Sequence, residues 1–330
     1  MNIKQANNIL IIRFSSLGDV LLTTPVLSAI NRVNPGAKID YLIKTNFVVA
    51  IKYHPHINNI YEFKKEEKIS KLTDRLIENK YDFVIDLQNN FRSRKITSRL
   101  NIPFVRYKKP TIKKLLLVKL GINRYKEIIP IPQMYANPIE GISLGDDSLL
   151  FNYPETVTSS LSKSDKNIAF CVGAKHFTKR WPADYFIQLG IKLIAQGYKV
   201  NLLGGIDDIE LCDYISANLP GALNLCEDNN LYQVAANMKA CDLVFCNDSG
   251  LMHLAVALQV PVIAFFGSSV KEFGFAPYNA KNTLLENNSL SCRPCSHIGL
   301  SSCPKKHFDC MKNITSDLVM EEFQNMAKNL

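Results

Sequence analysis

The sequence lacks the features of a membrane-spanning or exported protein. No apolar run approaches the ~20 residues of a membrane span, although 47% of the 330 residues are apolar. The opening stretch MNIKQANN has neither the apolar core nor the small-residue cleavage site of a signal peptide. The cysteines number nine, which is odd, and without a secretory signal they predict reduced thiols in a cytoplasmic protein.

Several ligand-binding patterns are absent as well. Neither GxxxxGK[ST] nor GxGxxG occurs, which argues against P-loop and common dinucleotide-binding proteins. No Asp-x-Asp pair occurs, so the sequence does not predict a metal ion that bridges a diphosphate. No helix-turn-helix or aromatic-rich single-strand-binding pattern supports a nucleic-acid partner.

Acidic residues are missing from one long stretch. Residues 87–126 hold twelve Lys or Arg and no Asp or Glu. The formal net charge of the whole chain is +9, so the net charge of the remaining residues is −3 (9 minus 12). Such a segment indicates an anionic partner, and the alternative is a solvated basic face.

Short apolar strands alternate with helical patterns in both halves, which is typical of parallel βαβ units. The predicted strands are 9–14, 38–43, 59–63, 81–87, 104–107, 167–173, 199–205, 222–226, 242–248 and 260–267. The proline-containing segment 125–165 is interpreted as an interdomain connection with one or two strands. We predict an α/β protein of two Rossmann-like, doubly wound parallel-sheet domains that face a central cleft.

Two segments of the second half predict a phosphate site. In DLVFCNDSGLMHLAVAL a predicted strand ends at Asp248-Ser249-Gly250 and a helix follows. The backbone N–H groups of the first helical turn can bind an anion. The alternative is an ordinary capped helix without a ligand. In GAKHFTKRWPADYF, Lys175, His176, Lys179 and Arg180 follow a strand, where cations can hold a diphosphate.

The stretch RFSSLGDV places Asp19 at the carboxyl end of the first strand. A single carboxylate opposite a diphosphate can take a proton from a hydroxyl group that attacks an anomeric carbon. The alternative is a carboxylate that only caps a helix.

Three segments resemble glycosyltransferase family 9, the ADP-heptose:lipopolysaccharide heptosyltransferases: ILIIRFSSLGDVLLTTPVLSAI, KRWPADYFIQLG and NDSGLMHLAVALQVPVIAFFG. The resemblance implies a GT-B fold and inverting, metal-independent transfer without a cofactor, from ADP-heptose to an anionic, lipid-linked inner-core acceptor of the Kdo-lipid A type. It implies an acceptor domain at 1–155, a donor domain at 156–313 and a closing helix at 314–330, for which Thr315 or Ser316 is the predicted cap.

The resemblance also implies residue roles. Asp19 resembles the catalytic base, and Lys179 resembles the lysine that holds the donor diphosphate. The other donor-binding candidates are Lys175, Asp207, Asp248, Ser249, Gly250, Leu251 and His253. The acceptor-binding candidates are Ser15, Ser16, Gly18, Arg92, Arg94 and Lys95.

Two segments and the activity itself remain open to more than one interpretation. TIKKLLLVKLGI (111–122) either rests on the inner leaflet, which would make the protein peripheral there, or buries its leucines in the core. The tail cysteines Cys292, Cys295, Cys303 and Cys310, which resemble those of heptosyltransferase II-type members, hold either a structural zinc or reduced thiols. The alternative functions are a nucleotide-sugar epimerase on the same frame and a nonenzymatic protein that binds anions or sugars.

Overall fold

The computed structural model describes residues 3–226 and 230–328. The strands are β1 Asn8–Ile12, β2 Lys38–Lys44, β3 Asn59–Phe63, β4 Phe83–Asp86, β5 Phe104–Arg106, β6 Asn167–Cys171, β7 Lys199–Leu202, β8 Leu223–Asn224, β9 Leu243–Asn247, β10 Val262–Phe266 and β11 Asn282–Glu286. The α-helices are α1 Leu17–Leu21, α2 Thr24–Val33, α3 Ile69–Ile77, α4 Phe91–Leu100, α5 Thr111–Leu120, α6 Ile131–Ala136, α7 Ala183–Ala195, α8 Ile209–Asn218, α9 Leu231–Lys239, α10 Gly250–Ala257, α11 Asp309–Lys312 and α12 Ser316–Ala327.

The chain forms two compact units. The first comprises Met1–Pro110 and Ile129–Tyr153, and the second comprises Thr111–Ile128 and Pro154–Leu330. The expected division near residue 155 lies close to the change of unit after Tyr153. The segment Thr111–Ile128, expected in the first domain, groups instead with the second unit, because Leu117 of α5 is buried against Val270 and Phe273.

Each unit contains one parallel sheet. The strand orders are β3-β2-β1-β4-β5 and β11-β10-β9-β6-β7-β8, and all neighbouring strands run parallel. The central strands are buried on both faces, which explains their near-continuous apolar sequences. The predicted α/β class with two doubly wound sheets is confirmed.

The strand orders determine where a ligand can enter each sheet. In the first sheet the order reverses between β1 and β4, and in the second it reverses between β6 and β9. Connections leave such a pair on opposite faces, so a crevice opens at the carboxyl ends of the two strands. Asp19 follows β1, Lys179 follows β6 and Asp248 follows β9, so all three candidates lie at these crevices.

One sequence prediction about the elements was wrong, and one strand was not predicted. The segment 125–165 contains α6 and no strand, because its prolines remove hydrogen-bond donors, and Pro132 lies instead in the first turn of a short helix. Strand β11 was not predicted, because NTLLE lies at the sheet edge and is only partly buried.

Thr315 caps α12 as expected, since its side chain accepts a hydrogen bond from Leu318 N. Within the described residues, no helix is both long enough and apolar enough to cross a bilayer.

Candidate functional site

The carboxylate of Asp19 lies in the first turn of α1 and contacts Ser16 and Arg13. Its Oδ2 accepts hydrogen bonds from Ser16 N at 3.2 Å and from Ser16 Oγ at 2.9 Å. Its Oδ1 forms an ion pair with Arg13 Nη2 at 2.8 Å, and 23% of the side chain remains exposed. Asp19 therefore does cap its helix, but the ion pair also fixes a partly exposed carboxylate whose ionised form can accept a proton.

Arg13 links the loops that follow β1 and β4. Its guanidinium group donates to Ser15 O at 2.9 Å and to Leu87 O at 2.7 Å, and it lies over the Tyr135 ring. Burial disfavours its charge, but the aromatic and acidic neighbours raise its pKa overall. Arg13 was not predicted as a site residue, although a charged side chain at the end of a buried strand must find partners.

The loop after β4 is ordered by Asp86. This fully buried carboxylate accepts hydrogen bonds from Gln88 N at 3.1 Å and Asn89 N at 2.8 Å. Its other oxygen accepts bonds from Ser93 Oγ at 3.0 Å and Arg106 Nε at 2.8 Å. The loop and the start of α4 are therefore fixed at the same sheet edge as Asp19.

Basic residues surround this edge of the first sheet. The pKa of Lys109 is lowered, first by burial and then by the positive charges of Arg13 and Arg94, and the negative charge of Asp19 opposes this shift. Lys109, Arg13, Arg94 and Asp19 therefore share one electrostatic environment. Arg94 of α4 also donates to Asn89 Oδ1 at 3.0 Å. Of the remaining acceptor-side candidates, Ser15 and Ser16 contact the Asp19–Arg13 pair and Gly18 is buried in α1, whereas Arg92 and Lys95 lie exposed on α4.

In the second unit, Lys179 and Asp248 form an ion pair across the crevice. Lys179 Nζ lies 2.6 Å from Asp248 Oδ2, and Ser269 Oγ donates to the same oxygen at 2.5 Å. Asn247 joins the two loops, because its amide accepts from Trp181 N at 2.9 Å and donates to Val172 O. The structure therefore brings together Lys179, which follows β6, and Asp248, which follows β9.

Two buried hydroxyl groups follow neighbouring strands, Ser249 after β9 and Ser268 after β10. Ser249 is the N-cap residue of α10, but its side chain makes no capping hydrogen bond. Within the described part of the chain, the Oγ atoms of Ser249 and Ser268 are both buried without a hydrogen-bond partner. Buried hydroxyl groups are normally hydrogen-bonded, so these two lack the partner that such groups usually have.

The other donor-side candidates differ in how close they lie to this pair. Burial first, and then the charges of Lys175 and Lys179, lower the pKa of His176, which puts both lysines near one imidazole. His253 is buried one turn into α10, and Asp207 is exposed after β7. Gly250 and Leu251 form the half-buried first residues of α10.

Arg293 supports the donor-side loop from the C-terminal segment. Its buried guanidinium group donates to Phe266 O and Ser269 O, each at 2.9 Å, and to Gly267 O at 2.6 Å. It also forms an ion pair with Glu286 at 3.0 Å. Arg293 thus fixes the backbone that carries both Ser269 and the buried Ser268 hydroxyl.

The C-terminal cysteines are candidate ligands for a structural metal ion. Cys292 Sγ lies 3.8 Å from His307 Nε2, and Cys310 is buried in the second core. Among the residues that the structure describes, no three His, Cys, Asp or Glu side chains are placed to hold a metal ion. Burial first, and then Cys303 and Cys292, raise the pKa of Cys295, so these thiols lie near one another. The zinc interpretation of Cys292, Cys295, Cys303 and Cys310 stays a prediction, and all nine cysteines are free thiols.

Comparisons with known proteins repeatedly find one family. Residues 126–306 match the model of glycosyltransferase family 9 (heptosyltransferase). A lipooligosaccharide heptosyltransferase 2 of Campylobacter jejuni is 33% identical over 156 residues, which are 46% of this chain and 47% of the relative, so the chain aligns with about half the length of that relative. A lipopolysaccharide heptosyltransferase 1 of Pseudomonas aeruginosa is 25% identical over 312 residues, 87% of this chain and 85% of the relative. The solved structure of the E. coli ADP-heptose LPS heptosyltransferase II is 25% identical with a TM-score of 0.74, covering 97% of this chain and 98% of that chain, and this likeness confirms the predicted GT-B fold.

Proposed function

The chain belongs to glycosyltransferase family 9, and on that premise we propose that it transfers a heptose from ADP-heptose to an anionic, lipid-linked saccharide of the lipopolysaccharide inner core. The observation that carries the proposal is the pair of crevices with complementary chemistry. One offers a single fixed carboxylate, Asp19, among cations. The other offers Lys179 and the start of α10, which together suit a sugar diphosphate.

In the proposed reaction, the oxygen of the acceptor hydroxyl group attacks the anomeric carbon of the donor, and Asp19 accepts the proton of that hydroxyl group. The bond from that carbon to the diphosphate oxygen breaks, and ADP leaves with inversion of the anomeric configuration. The ammonium group of Lys179 and the N–H groups of α10 stabilise the negative charge on the departing diphosphate. These groups supply positive charge of the kind that a bridging metal ion provides elsewhere, so we propose metal-independent transfer.

Release of ADP tests the reaction directly. The purified protein is incubated with ADP-heptose, with and without a Kdo-lipid A acceptor, and ADP and sugar products are measured. ADP release that requires the acceptor supports the transferase, and interconversion of the donor sugar without acceptor supports an epimerase. No turnover of either kind contradicts both and leaves a binding protein.

The exposed face of α5 supports a further part of the proposal, a peripheral position on an anionic membrane surface. Leu117 is buried within the second unit, whereas Ile112, Leu115 and Leu120 are 74%, 56% and 65% exposed. Lys119 is exposed beside them. Apolar side chains flanked by cations suit the boundary between headgroups and acyl chains.

Sedimentation with phosphatidylglycerol-containing vesicles tests this position. We expect Leu115→Gln to reduce vesicle binding, whereas Ile77→Gln, which changes an equally exposed residue on α3, leaves it unchanged. Equal binding by both variants and the parent protein contradicts a role for α5.

A further inference from the structure

An open groove of about 470 Å³ lies between α4 and the edge strand β5 of the first unit. Its polar and basic lining comes mainly from α4, and none of the described residues that line it is acidic. The side chains that matter here are Arg94, Thr97, Ser98, Asn101, Phe104 and Arg106. The groove has the size of a single sugar residue rather than of a helix or an extended peptide.

Arg106 is held in position without a ligand. It donates from Nε to Asp86 at 2.8 Å and from Nη2 to Thr97 Oγ1 at 2.7 Å, and its guanidinium carbon lies 4.6 Å from the centre of the Phe104 ring. A guanidinium group has five N–H donors, and the described residues engage only two of them here. The others can bind an anion without the entropy cost of ordering the side chain.

Arg94 provides the second cation of the groove. Its Nε donates to Asn89 Oδ1 at 3.0 Å, and its terminal nitrogens make no hydrogen bond within the described part of the chain. Asp86 offsets the charge of Arg106, whereas no acidic group pairs with Arg94 in that part. The groove therefore carries net positive charge, and planar guanidinium groups bind carboxylates and phosphates in a two-pronged geometry.

The remaining lining suits the body of a sugar. Phe104 is 46% exposed, and an exposed aromatic ring can pack against the apolar face of a pyranose. Ser98 and Asn101, at the C-terminal end of α4, offer a hydroxyl and an amide to sugar hydroxyl groups.

We infer that this groove binds an anionic saccharide, with its carboxylate or phosphate on Arg94 and Arg106 and its ring on Phe104. For the identity of the saccharide the inference rests on the proposed function: the groove would recognise a charged residue of the acceptor other than the one that carries the reacting hydroxyl group. Its affinity for the anion does not depend on transfer, so it is measured separately.

Calorimetric titration with three sugars tests the groove, with saturating ADP present to occupy the donor site. The probes are Kdo as a sugar carboxylate, glucose 1-phosphate as a sugar phosphate, and glucose as the neutral control. We expect saturable binding of Kdo or glucose 1-phosphate, and whichever binds identifies the anion. Glucose should not bind. Saturable binding of neither charged sugar overturns the inference.

Two arginine variants locate the binding. We expect Arg94→Gln to weaken binding of the charged sugar about tenfold or more, because it removes a charge-assisted contact. Arg99→Gln is the matched control: it removes the same charge from α4, but Arg99 pairs with Asp74 at 3.5 Å and does not line the groove. An equal loss in both variants shows a general charge effect and overturns the inference.

Kinetics separate this inference from the proposed function. If the parent protein transfers heptose, Arg94→Gln should raise the acceptor KM with little change in kcat. An unchanged KM overturns the groove and leaves the transferase intact. If the parent protein does not transfer heptose but binds the charged sugar through Arg94, the groove stands and the transferase fails.

Discussion

Replacement of Lys179 by glutamine tests the ion pair at the centre of the donor-side crevice. The pair is mostly buried: Lys179 Nζ lies 2.6 Å from Asp248 Oδ2, and the two side chains are 16% and 7% exposed. Breaking a buried pair costs ~3–5 kcal/mol because one charge is left without a partner. Ser269 still donates to Asp248 in the variant, so we expect the free energy of unfolding to fall by about 2–3 kcal/mol in urea denaturation.

The same variant should bind ADP weakly. A hydrogen bond to a charged group contributes ~1.5–3 kcal/mol, so the Kd for ADP measured by calorimetry should rise about 10- to 100-fold. Lys192→Gln is the matched control, since its ion pair with Asp317 lies at the surface. We expect this control to lose at most about 1 kcal/mol of stability and to bind ADP normally.

A double variant separates the two effects. Lys179→Gln with Asp248→Asn should be more stable than Lys179→Gln alone, because the uncompensated carboxylate is gone. ADP binding should remain weak in the double variant. The reasoning is refuted if folded Lys179→Gln binds ADP within about twofold of the parent protein or unfolds at the same urea concentration.

Three further predictions follow from contacts outside the ion pair. Arg293→Gln should raise the Kd for ADP about tenfold, because the guanidinium group fixes the carbonyl groups at the end of β10 and after it, and Arg293→Lys should raise this Kd less. Equal ADP affinities of the parent protein and Arg293→Gln contradict this role. Ser268→Ala should leave the fold as stable as the parent protein, since its buried hydroxyl group has no partner in the described residues. Ser93→Ala, which removes a bond to a buried carboxylate, should destabilise the fold, and an equally destabilised Ser268→Ala contradicts this reasoning. Burial and His56 lower the pKa of His54 to about 3, below the ~6.5 of the unfolded chain. The unfolded state therefore takes up the proton first as the pH falls, and the folded state loses about 2 kcal/mol of stability between pH 7 and 5. His54→Gln should abolish this loss, and an unchanged pH profile of stability in the variant contradicts the prediction.

The sheet architecture could be predicted from the sequence because it depends on local patterns. Strands such as β1 and β9 are continuous apolar runs that end in polar turns, and alternation with helical spacing fixes parallel connections. The parallel connections place Asp19, Lys179 and Asp248 at carboxyl ends of strands before any coordinates are known.

The residues that hold the candidate site in place could not be predicted, because they act across long separations. Arg13 reaches Leu87, which is 74 residues away, and Arg293 reaches Phe266, which is 27 residues away. Neither contact leaves a periodic signal in the sequence. The position of α5 depends on one buried leucine, Leu117, and the helix is apolar on several sides, so its pattern does not indicate which unit it joins.

The most direct measurement is acceptor-dependent ADP release by Asp19→Asn, compared with Asp74→Asn as a control for loss of an exposed carboxylate. If Asp19 accepts the proton of the attacking hydroxyl group, its replacement should slow transfer by about 10²- to 10⁴-fold while ADP still binds, and Asp74→Asn should behave as the parent protein does. Turnover of Asp19→Asn within about tenfold of the parent protein would contradict the role of this carboxylate.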